Sequence, residues 1–341
     1  MIKMKILHIM VACFLIFLAF PADAQEEVGV SPDVINDYPE PNVTALVPND
    51  SLLYDRIYRR VNNPLTIHDA PGGNVINSYG VGYNFVTLNS QPQGDWAQIS
   101  DTQWISTAGL TEEVTISRYA GVELPPEGLP YTMAWTLRHL NPSEVPGGEG
   151  SSNNPFLYRY SRVNIYATVV VDGYNWYQVG ENQWIHQFNV ARIVPIERPA
   201  DVNTEKWVSI DLYEQVLIAY EGETSVFSTM VSSGLPEWST NEGTFNVYLR
   251  RQRTIMSGAY NQPDFYYLED VPWTMFFDGD IALHGTFWHD GFGYRQSHGC
   301  VNMTITDSHW LFNWSADVRD FTVEDSPDLS VHVYSSGNYD N

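Results

Sequence analysis

Cysteine is almost absent from this sequence, which has 2 cysteines among 341 residues. Cys13 lies in an apolar stretch at the amino terminus, so its removal with that stretch would leave Cys300 as the only thiol. A chain with one cysteine cannot form an internal disulfide, and the remaining thiol is either an incidental core residue or one kept for its reactivity.

Basic residues are also scarce. The sequence has 17 lysines and arginines against 41 aspartates and glutamates, a formal charge of −24. Such a polyanion is repelled by phosphate backbones, which argues against a nucleic acid partner. After the amino-terminal stretch, no second apolar run reaches the length that spans a bilayer, so we expect no stable membrane insertion once that stretch is cleaved.

The amino-terminal stretch itself is typical of a secretory signal peptide over residues 1–24. Lys3 and Lys5 precede an apolar run, and Ala22-Asp-Ala24 forms a small-x-small cleavage site. This predicts an exported protein of the periplasm, cell wall or extracellular space. Lipid attachment at Cys13 and an uncleaved anchor helix are the alternatives.

The remaining sequence predicts a mainly β protein. Short segments of alternating apolar and polar residues stand between glycine, proline and asparagine turns, and the chain is rich in tryptophan and tyrosine. Residues 25–56 contain several prolines among acidic residues and predict an extended leader.

An internal repeat occurs in the first half of the chain. Residues 96–105 and 176–185 both read W-x-Q-[IV]-x-x-x-Q-W-I without gaps, which predicts two strands joined by a polar turn in each copy. The surrounding segments, 57–112 and 155–196, resemble bacterial Src-homology-3-like modules, small β-barrels that are often appended to cell-wall enzymes. The alternative is that these tryptophans are core residues of an unrelated β-domain. The segment between them, 113–154, is predicted to be a linker because its last part is rich in glycine, serine and asparagine.

The stretch from His284 to Cys300 concentrates reactive side chains. It contains three histidines and the cysteine, a ligand mix that zinc accepts, but the close ligand pairs of structural zinc sites are missing. A thiol catalyst needs a nucleophile, a base, a group that orients the base, and donors for the oxyanion. An apolar strand, residues 281–283, would deliver His284 at its end, where a backbone carbonyl at Gly285 could hold the imidazole. Backbone N–H groups near Gly299 and Cys300 could face the oxyanion.

His-Gly-Thr at 284–286 and Ser-His-Gly-Cys-Val-Asn at 297–302 closely resemble the active-site motif of the L,D-transpeptidases, the YkuD-type catalytic domain. Thr-Asn-Glu-Gly-Thr-Phe at 240–245 is similar to the T-P-x-G-x-F segment of that family, with Asn241 in place of the usual proline. The resemblance covers about residues 205–335. It implies a β-rich catalytic domain with short helices, following the two Src-homology-3-like modules.

The resemblance implies a cysteine acyltransferase of the cell wall that functions in peptidoglycan biosynthesis and cell shape. Cys300 would attack a peptidoglycan tetrapeptide stem, D-alanine would leave, and the thioester would pass to an amine. His284 would be the base and the Gly285 carbonyl would orient it. The remaining site residues that it implies are Gly299 in the oxyanion region, His298 and Ser297 beside the thiol, and Thr286, Trp288 and Asn302 as substrate contacts. It implies no metal and no cofactor, and it makes the protein a target of carbapenems.

Two other functions stay open at this point. Water could replace the acceptor amine, which would give an L,D-carboxypeptidase or a thiol wall hydrolase. The catalytic domain could also be inactive, with the N-terminal modules serving to bind the wall. Thiol wall hydrolases that carry such modules place the cysteine before the histidine, whereas His284 comes first here, and this order favours the transpeptidase.

Overall fold

The structure is a computed structural model that describes residues 29–62, 64–319 and 328–338. The predicted signal peptide, residues 1–24, lies outside these residues, as does the start of the predicted leader. The described residues form 24 strands and three α-helices, so the prediction of a mainly β protein is confirmed. None of these helices combines the length and the apolar character that crossing a membrane requires.

The leader and the first module contain α1 (Pro32–Asp37), β1 (Thr44–Ala45), α2 (Asp50–Leu53), β2 (Ile57–Val61), β3 (Leu65–His68), β4 (Val75–Tyr79), β5 (Tyr83–Leu88), β6 (Trp96–Ser100), β7 (Gln103–Ser106) and β8 (Leu110–Glu113). The middle of the chain forms β9 (Val122–Glu123), β10 (Thr132–Thr136), β11 (Arg162–Ile165), β12 (Ala167–Val171), β13 (Tyr174–Gly180), β14 (Gln183–His186) and β15 (Val190–Arg192). The C-terminal part forms β16 (Lys206–Asp211), β17 (Val216–Glu221), β18 (Thr224–Met230), β19 (Gly243–Asn246), β20 (Leu249–Gly258), β21 (Tyr266–Asp278), β22 (Ile281–Gly285), β23 (Val301–Met303), α3 (Ile305–Trp314) and β24 (Ser330–Tyr334).

The two copies of the repeat fold into the same hairpin. In the first copy Gln98 pairs with Trp104, and in the second Gln178 pairs with Trp184, each followed by a register shift at the turn. The sequence predicted these hairpins because the spacing between the two tryptophans fixes both the strand length and the turn length.

Neither segment around the repeat closes into a barrel within the described residues. The first module splits between a four-stranded sheet, β4-β3-β7-β6, and a larger sheet in which β2, β5 and β8 take part. The second contributes the three-stranded sheet β12-β13-β14, and its strands β11 and β15 pair with β10, which precedes the segment. The strands of each module thus pair in separate sheets, and some of them pair with strands of other parts of the chain.

A seven-stranded sheet in the order β1-β9-β18-β17-β16-β24-β19 forms the centre of the C-terminal part. Its strand β16 is buried on both faces, because Val208 and Ile210 point into one apolar cluster and Trp207 points into another. The second cluster is completed by Met133, Trp135 and other residues of the segment 119–137. The part of the chain predicted to be a linker, 113–154, therefore contains two strands and covers one face of the central sheet.

A second large sheet joins the first module to the C-terminal part. Its order is β23-β22-β21-β5-β2-β8, with β20 also paired to β21. Strand β5 runs parallel to β21, with Tyr83 opposite Tyr266 and Phe85 opposite Leu268. Phe265 and Tyr267 complete the apolar cluster of the first module. The module and the C-terminal part consequently share both a sheet and a core.

Helix α3 packs behind β22. The Thr304 hydroxyl accepts a hydrogen bond from the Asp307 N–H at 3.1 Å and caps the helix at its first turn. A side chain at Gly285 would place its Cβ 2.5 Å from Ser308 Oγ and 2.9 Å from Pro272 Cγ. Glycine is required at the end of β22 because α3 and β21 approach its backbone so closely.

A half-buried carboxyl group, Glu269, lies where the module meets β21. Its two oxygens accept hydrogen bonds from the Thr87 N–H at 2.9 Å and from the Tyr267 hydroxyl at 3.1 Å. Burial raises the pKa of Glu269 from 4.5 to about 7, although both hydrogen bonds act to lower it. The folded state therefore favours the protonated carboxyl. As the pH rises from about 4.5 to about 7, the group ionises more readily in the unfolded state, so the free energy of unfolding falls.

We expect Glu269→Gln to raise the free energy of unfolding by about 2 kcal/mol at pH 8 and to change it little at pH 4.5. Glutamine mimics the protonated acid, since its oxygen accepts from Thr87 and its amide donates to the Tyr267 hydroxyl. Urea unfolding of both proteins at the two pH values measures the effect. A variant that is equally or less stable than the parent at pH 8 would contradict the burial of a neutral carboxyl at this junction.

Candidate active site

Two parallel strands bring together the residues that the sequence singles out. β22 pairs with β23 so that His284 lies opposite Asn302. Side chains of paired residues share a face of the sheet, as do residues two apart on one strand. Cys300 directly precedes β23, and both Cys300 and His284 line the same cleft. This arrangement carries a histidine and a cysteine that are sixteen residues apart into one site.

The imidazole of His284 is fixed by its own strand. Nδ1 lies 3.1 Å from the carbonyl oxygen of Gly285, and because a carbonyl can only accept, Nδ1 carries the proton. His284 is 2% exposed. Burial lowers its pKa to about 4, and the bond to Gly285 offsets part of that decrease. At neutral pH the ring is thus uncharged, with the Nε2 lone pair available to accept a proton.

The thiol of Cys300 lies at the start of β22. The residue is half-buried, and Sγ is 3.7 Å from the carbonyl oxygen of Asp280. Desolvation raises the pKa of the thiol to about 11; the N–H of Ala282 lowers it and the charge of Asp280 raises it further. The resting pair is accordingly a neutral thiol and a neutral imidazole, and the thiolate forms only when the proton moves.

The loop before the thiol is held by hydrogen bonds within it. Gly299 has a φ of +113°, and a Cβ there would lie 3.3 Å from Ile281 Cδ1, so only glycine fits without strain. Its N–H donates to Ser297 Oγ at 3.1 Å, and Ser297 Oγ in turn donates to the Cys300 carbonyl. The Gly299 N–H, predicted to face the oxyanion, is therefore engaged, and an oxyanion would have to displace Ser297 to reach it.

His298 lies at the rim of the site. Its ring is between Trp238 and Tyr266, with ring centroids 5.4 and 5.1 Å away, and Nε2 is 3.6 Å from a carboxylate oxygen of Asp264. The side chain is 30% exposed. This contact with Asp264 is an ion pair only when the imidazole is protonated.

The three residues predicted to contact substrate occupy different positions. Trp288 and Asn302 line the cleft beside the thiol, and the Trp288 ring lies 5.7 Å from the ring of His284. Thr286 does not line it, because its side chain is fully buried and its N–H donates to the Met303 carbonyl at 2.8 Å. The structure thus places Thr286 in the packing behind His284, where the turn after β22 directs its side chain inward.

His289, for which the sequence indicated no role, lines the cleft and is held by two hydrogen bonds. The N–H of Gly291 donates to its Nδ1 at 3.0 Å, so the proton is on Nε2. The side-chain amide of Asn302 lies 2.9 Å from Nε2. We assign the Asn302 oxygen to that contact, because a protonated Nε2 needs an acceptor and the oxygen is otherwise buried without a partner. Burial is the main cause that lowers the pKa of His289 to about 4.

The reactive face opens into a cleft of about 490 Å³. The thiol, His284, Trp288, His298 and Asn302 lie on one side of it, and residues of β20 and β21 lie on the other. A cleft of this volume is typical of small-molecule and peptide sites. Within the described residues, no group of three or more histidine, cysteine, aspartate or glutamate side chains is arranged to hold a metal ion.

Comparison with known proteins finds similarity in the C-terminal part. Residues 205–325 match the family model of the L,D-transpeptidase catalytic domain, YkuD. This segment is similar to that catalytic domain. The Bacillus subtilis protein YciB, assigned as an L,D-transpeptidase, is 27% identical over 119 residues, which make up 31% of this chain and 59% of that protein. The chain thus spans less than two thirds of the length of this relative.

Two solved structures are similar to the same domain. An L,D-transpeptidase from Xylanimonas cellulosilytica is 27% identical, with 40% of this chain and 64% of that chain covered and a TM-score of 0.30. The catalytic domain of an Enterococcus faecium L,D-transpeptidase acylated by ertapenem is 22% identical, with coverages of 39% and 98% and a TM-score of 0.32.

The structure adds residues to the candidate site that the sequence did not single out. The Thr240 hydroxyl accepts from the Gly234 N–H at 3.0 Å and donates to the Gly299 carbonyl at 2.7 Å, so it holds the loop that carries the thiol. Its place in the T-x-x-G-x-F segment was the available signal. No sequence pattern pointed to Asp264 or Trp238, because their contact with His298 depends on how distant loops fold.

Proposed function

We propose that this protein is an exported cell-wall L,D-transpeptidase that transfers an acyl group from a peptidoglycan tetrapeptide stem to an amine. The single observation that supports this most is the pairing of β22 with β23 in the transpeptidase domain. It sets a neutral histidine, with a free Nε2, and a thiol on one face of a peptide-sized cleft.

The reaction begins when the thiol of Cys300 gives its proton to Nε2 of His284. The thiolate attacks the carbonyl before the terminal D-alanine, and the Nδ1–H of the resulting imidazolium stays bonded to the Gly285 carbonyl. That carbonyl stabilises the positive charge in a site where His284 has little access to water. His284 then returns the proton to the departing amine of D-alanine, which leaves a thioester on Cys300.

The second half of the reaction repeats these steps with an amine. The acceptor amine attacks the thioester and passes a proton to Nε2 of His284, which returns it to the thiolate of Cys300. A new amide forms and the free thiol is restored. Water in place of the amine would give a carboxypeptidase from the same thioester.

The N-terminal part has a proposed role as well. We propose that segments 57–112 and 155–196 are Src-homology-3-like modules that bind the wall, with the catalytic domain acting on stems beside them. The support is their paired hairpins of identical register. We also propose that residues 1–24 direct export, since stem peptides are found outside the cytoplasm.

Product analysis tests the proposed reaction. The protein is incubated with a disaccharide-tetrapeptide, and the products are identified by mass spectrometry. We expect release of D-alanine together with a cross-linked dimer, whose mass is that of two disaccharide-tetrapeptides less one D-alanine. Release of D-alanine with only tripeptide product would identify a carboxypeptidase instead. No reaction by folded protein would support an inactive, wall-binding domain.

A further inference from the structure

The cleft of the transpeptidase domain has one wall that does not belong to that domain. Arg60, Gly82 and Tyr83 of the first N-terminal module line it together with residues of β20 and β21. They reach it because β5 continues the catalytic sheet beyond β21, with Tyr83 opposite Tyr266. The module is therefore part of the substrate cleft.

Tyr83 is held firmly in this wall. Its hydroxyl donates to the carbonyl oxygen of Trp288 at 3.2 Å, and its ring meets that of Phe85 edge to face at 4.7 Å. Trp288 is part of the loop between His284 and Cys300. The hydrogen bond thus links the module directly to the loop that closes the active site.

Arg60 lies over the ring of Tyr83, with its guanidinium carbon 5.0 Å from the ring centroid. Among the described residues that line the cleft, it is the only arginine or lysine. The carboxylates that line the cleft are those of Asp264 and Asp280. No carboxylate of a described residue lies within 4.0 Å of the Arg60 side chain. In a chain with 41 acidic residues and 17 basic ones, an exposed arginine that lines a cleft and has no acidic partner among the described residues is suited to bind an anion from outside.

The position of Arg60 limits which anion it can bind. Arg60 is on β2, Tyr83 on β5 and Tyr266 on β21, and these are successive strands of the sheet. Neighbouring strands are about 4.8 Å apart, so the guanidinium over Tyr83 is roughly 5–10 Å from Tyr266. Tyr266 and Cys300 line the same cleft. Burial, and after it the charge of Cys300, raises the pKa of Tyr266 to about 12.

A peptide chain advances about 3.3 Å per residue, so a group bound by Arg60 lies roughly one to three residues beyond Tyr266, on the side away from β22. The terminal carboxylate of the departing residue is too close to the reacting carbonyl to be that group. A carboxylate further along the donor stem fits the distance.

We propose that Arg60, braced by Tyr83, forms a carboxylate subsite through which the N-terminal module recognises an acidic residue of the donor stem. This inference rests on the proposed transpeptidase function. The guanidinium binds the carboxylate through two parallel hydrogen bonds, which gives both affinity and register. Recognition of this kind places the scissile carbonyl at Cys300 from a distance.

Binding to a catalytically inactive protein tests this subsite. In a Cys300→Ala background, calorimetry compares a stem tetrapeptide that has a free α-carboxylate at its second residue with the same peptide amidated there. We expect Arg60→Gln to weaken binding of the free acid by about 10- to 100-fold, since a charge-assisted hydrogen bond contributes this much. Binding of the amide should be unchanged by the substitution. Arg60→Lys, which keeps the charge but loses the paired donors, should fall between them.

Arg251→Gln is the matched control, because Arg251 is an exposed arginine of β20 that does not line the cleft. In the active protein, Arg60→Gln should raise KM for the free acid and leave kcat unchanged. Equal binding of the free acid by the Arg60→Gln protein and its parent would overturn the subsite alone, and so would equal losses for acid and amide. Failure of the parent to bind either peptide would overturn the subsite together with the proposed function.

Discussion

Cys300→Ala is expected to abolish D-alanine release from a disaccharide-tetrapeptide, with a loss on the order of 10⁵-fold or more. Alanine removes the only atom that can form the thioester and leaves the neighbouring hydrogen bonds in place. The Ser297 hydroxyl donates to the backbone carbonyl of residue 300, and the Gly299 N–H donates to Ser297 Oγ. Time courses of D-alanine release by the two proteins measure the effect. Release by the variant at more than a trace would show that another group is the nucleophile.

A carbapenem provides an independent readout of the same residue. Its strained β-lactam carbonyl is an acyl donor, so the parent protein should gain the mass of one carbapenem at Cys300, and Cys300→Ala should gain none. Far-ultraviolet circular dichroism of both proteins serves as the control for folding. A folded parent that takes up no carbapenem, and also releases no D-alanine, would favour the inactive, wall-binding interpretation.

His284→Asn is expected to lower kcat by about 10²- to 10⁴-fold, which is the usual contribution of a general base. Asparagine can still donate a hydrogen bond to the Gly285 carbonyl, as Nδ1 of the histidine does, but it has no atom in the place of Nε2. The substitution therefore removes the base and keeps the packing. His186→Asn, in the second module and outside the cleft, is the matched control and should leave kcat unchanged.

The pH dependence of activity tests the same role of His284. With the pKa of His284 at about 4 and that of Cys300 at about 11, the active pair is the neutral thiol and neutral imidazole. Activity of the parent should be nearly flat from about pH 5 to about pH 9 and should fall as His284 takes up a proton near pH 4. His284→Asn should lose that acidic limb. A parent whose activity instead rises through pH 6 to 8 would indicate an imidazole of ordinary pKa.

The sequence was sufficient for the features that depend on neighbouring residues. The spacing of the two tryptophans predicted each hairpin, and the apolar run before His284 predicted β22. Cys300 and His284 could be singled out because one thiol remained after the amino-terminal stretch and because the residues around both resemble a family motif. The bond from His284 to the Gly285 carbonyl also follows from adjacency along the chain.

Features that depend on distant pairing could not be predicted. The parallel contact of β5 with β21 joins segments about 180 residues apart, and no local pattern in either segment indicates its partner. Arg60 and Tyr83 line the cleft only because β5 pairs with β21. The segment 113–154 was predicted to be a linker because its last part lacks apolar residues, whereas Met133 and Trp135, earlier in it, are buried. Thr286 was assigned to substrate from its place in a motif, and only the packing behind β22 shows that it faces inward.

The shared sheet limits how this protein can be divided or recombined. A catalytic fragment that began at residue 205 would expose the edge of β21 that β5 now covers, together with the aromatic rings of Phe265 and Tyr267. Unpaired apolar edges favour association with other chains. The segment that matches the family model is thus smaller than the piece that could be moved intact into another protein. An exchange of modules among related proteins would have to preserve the pairing of β5 with β21.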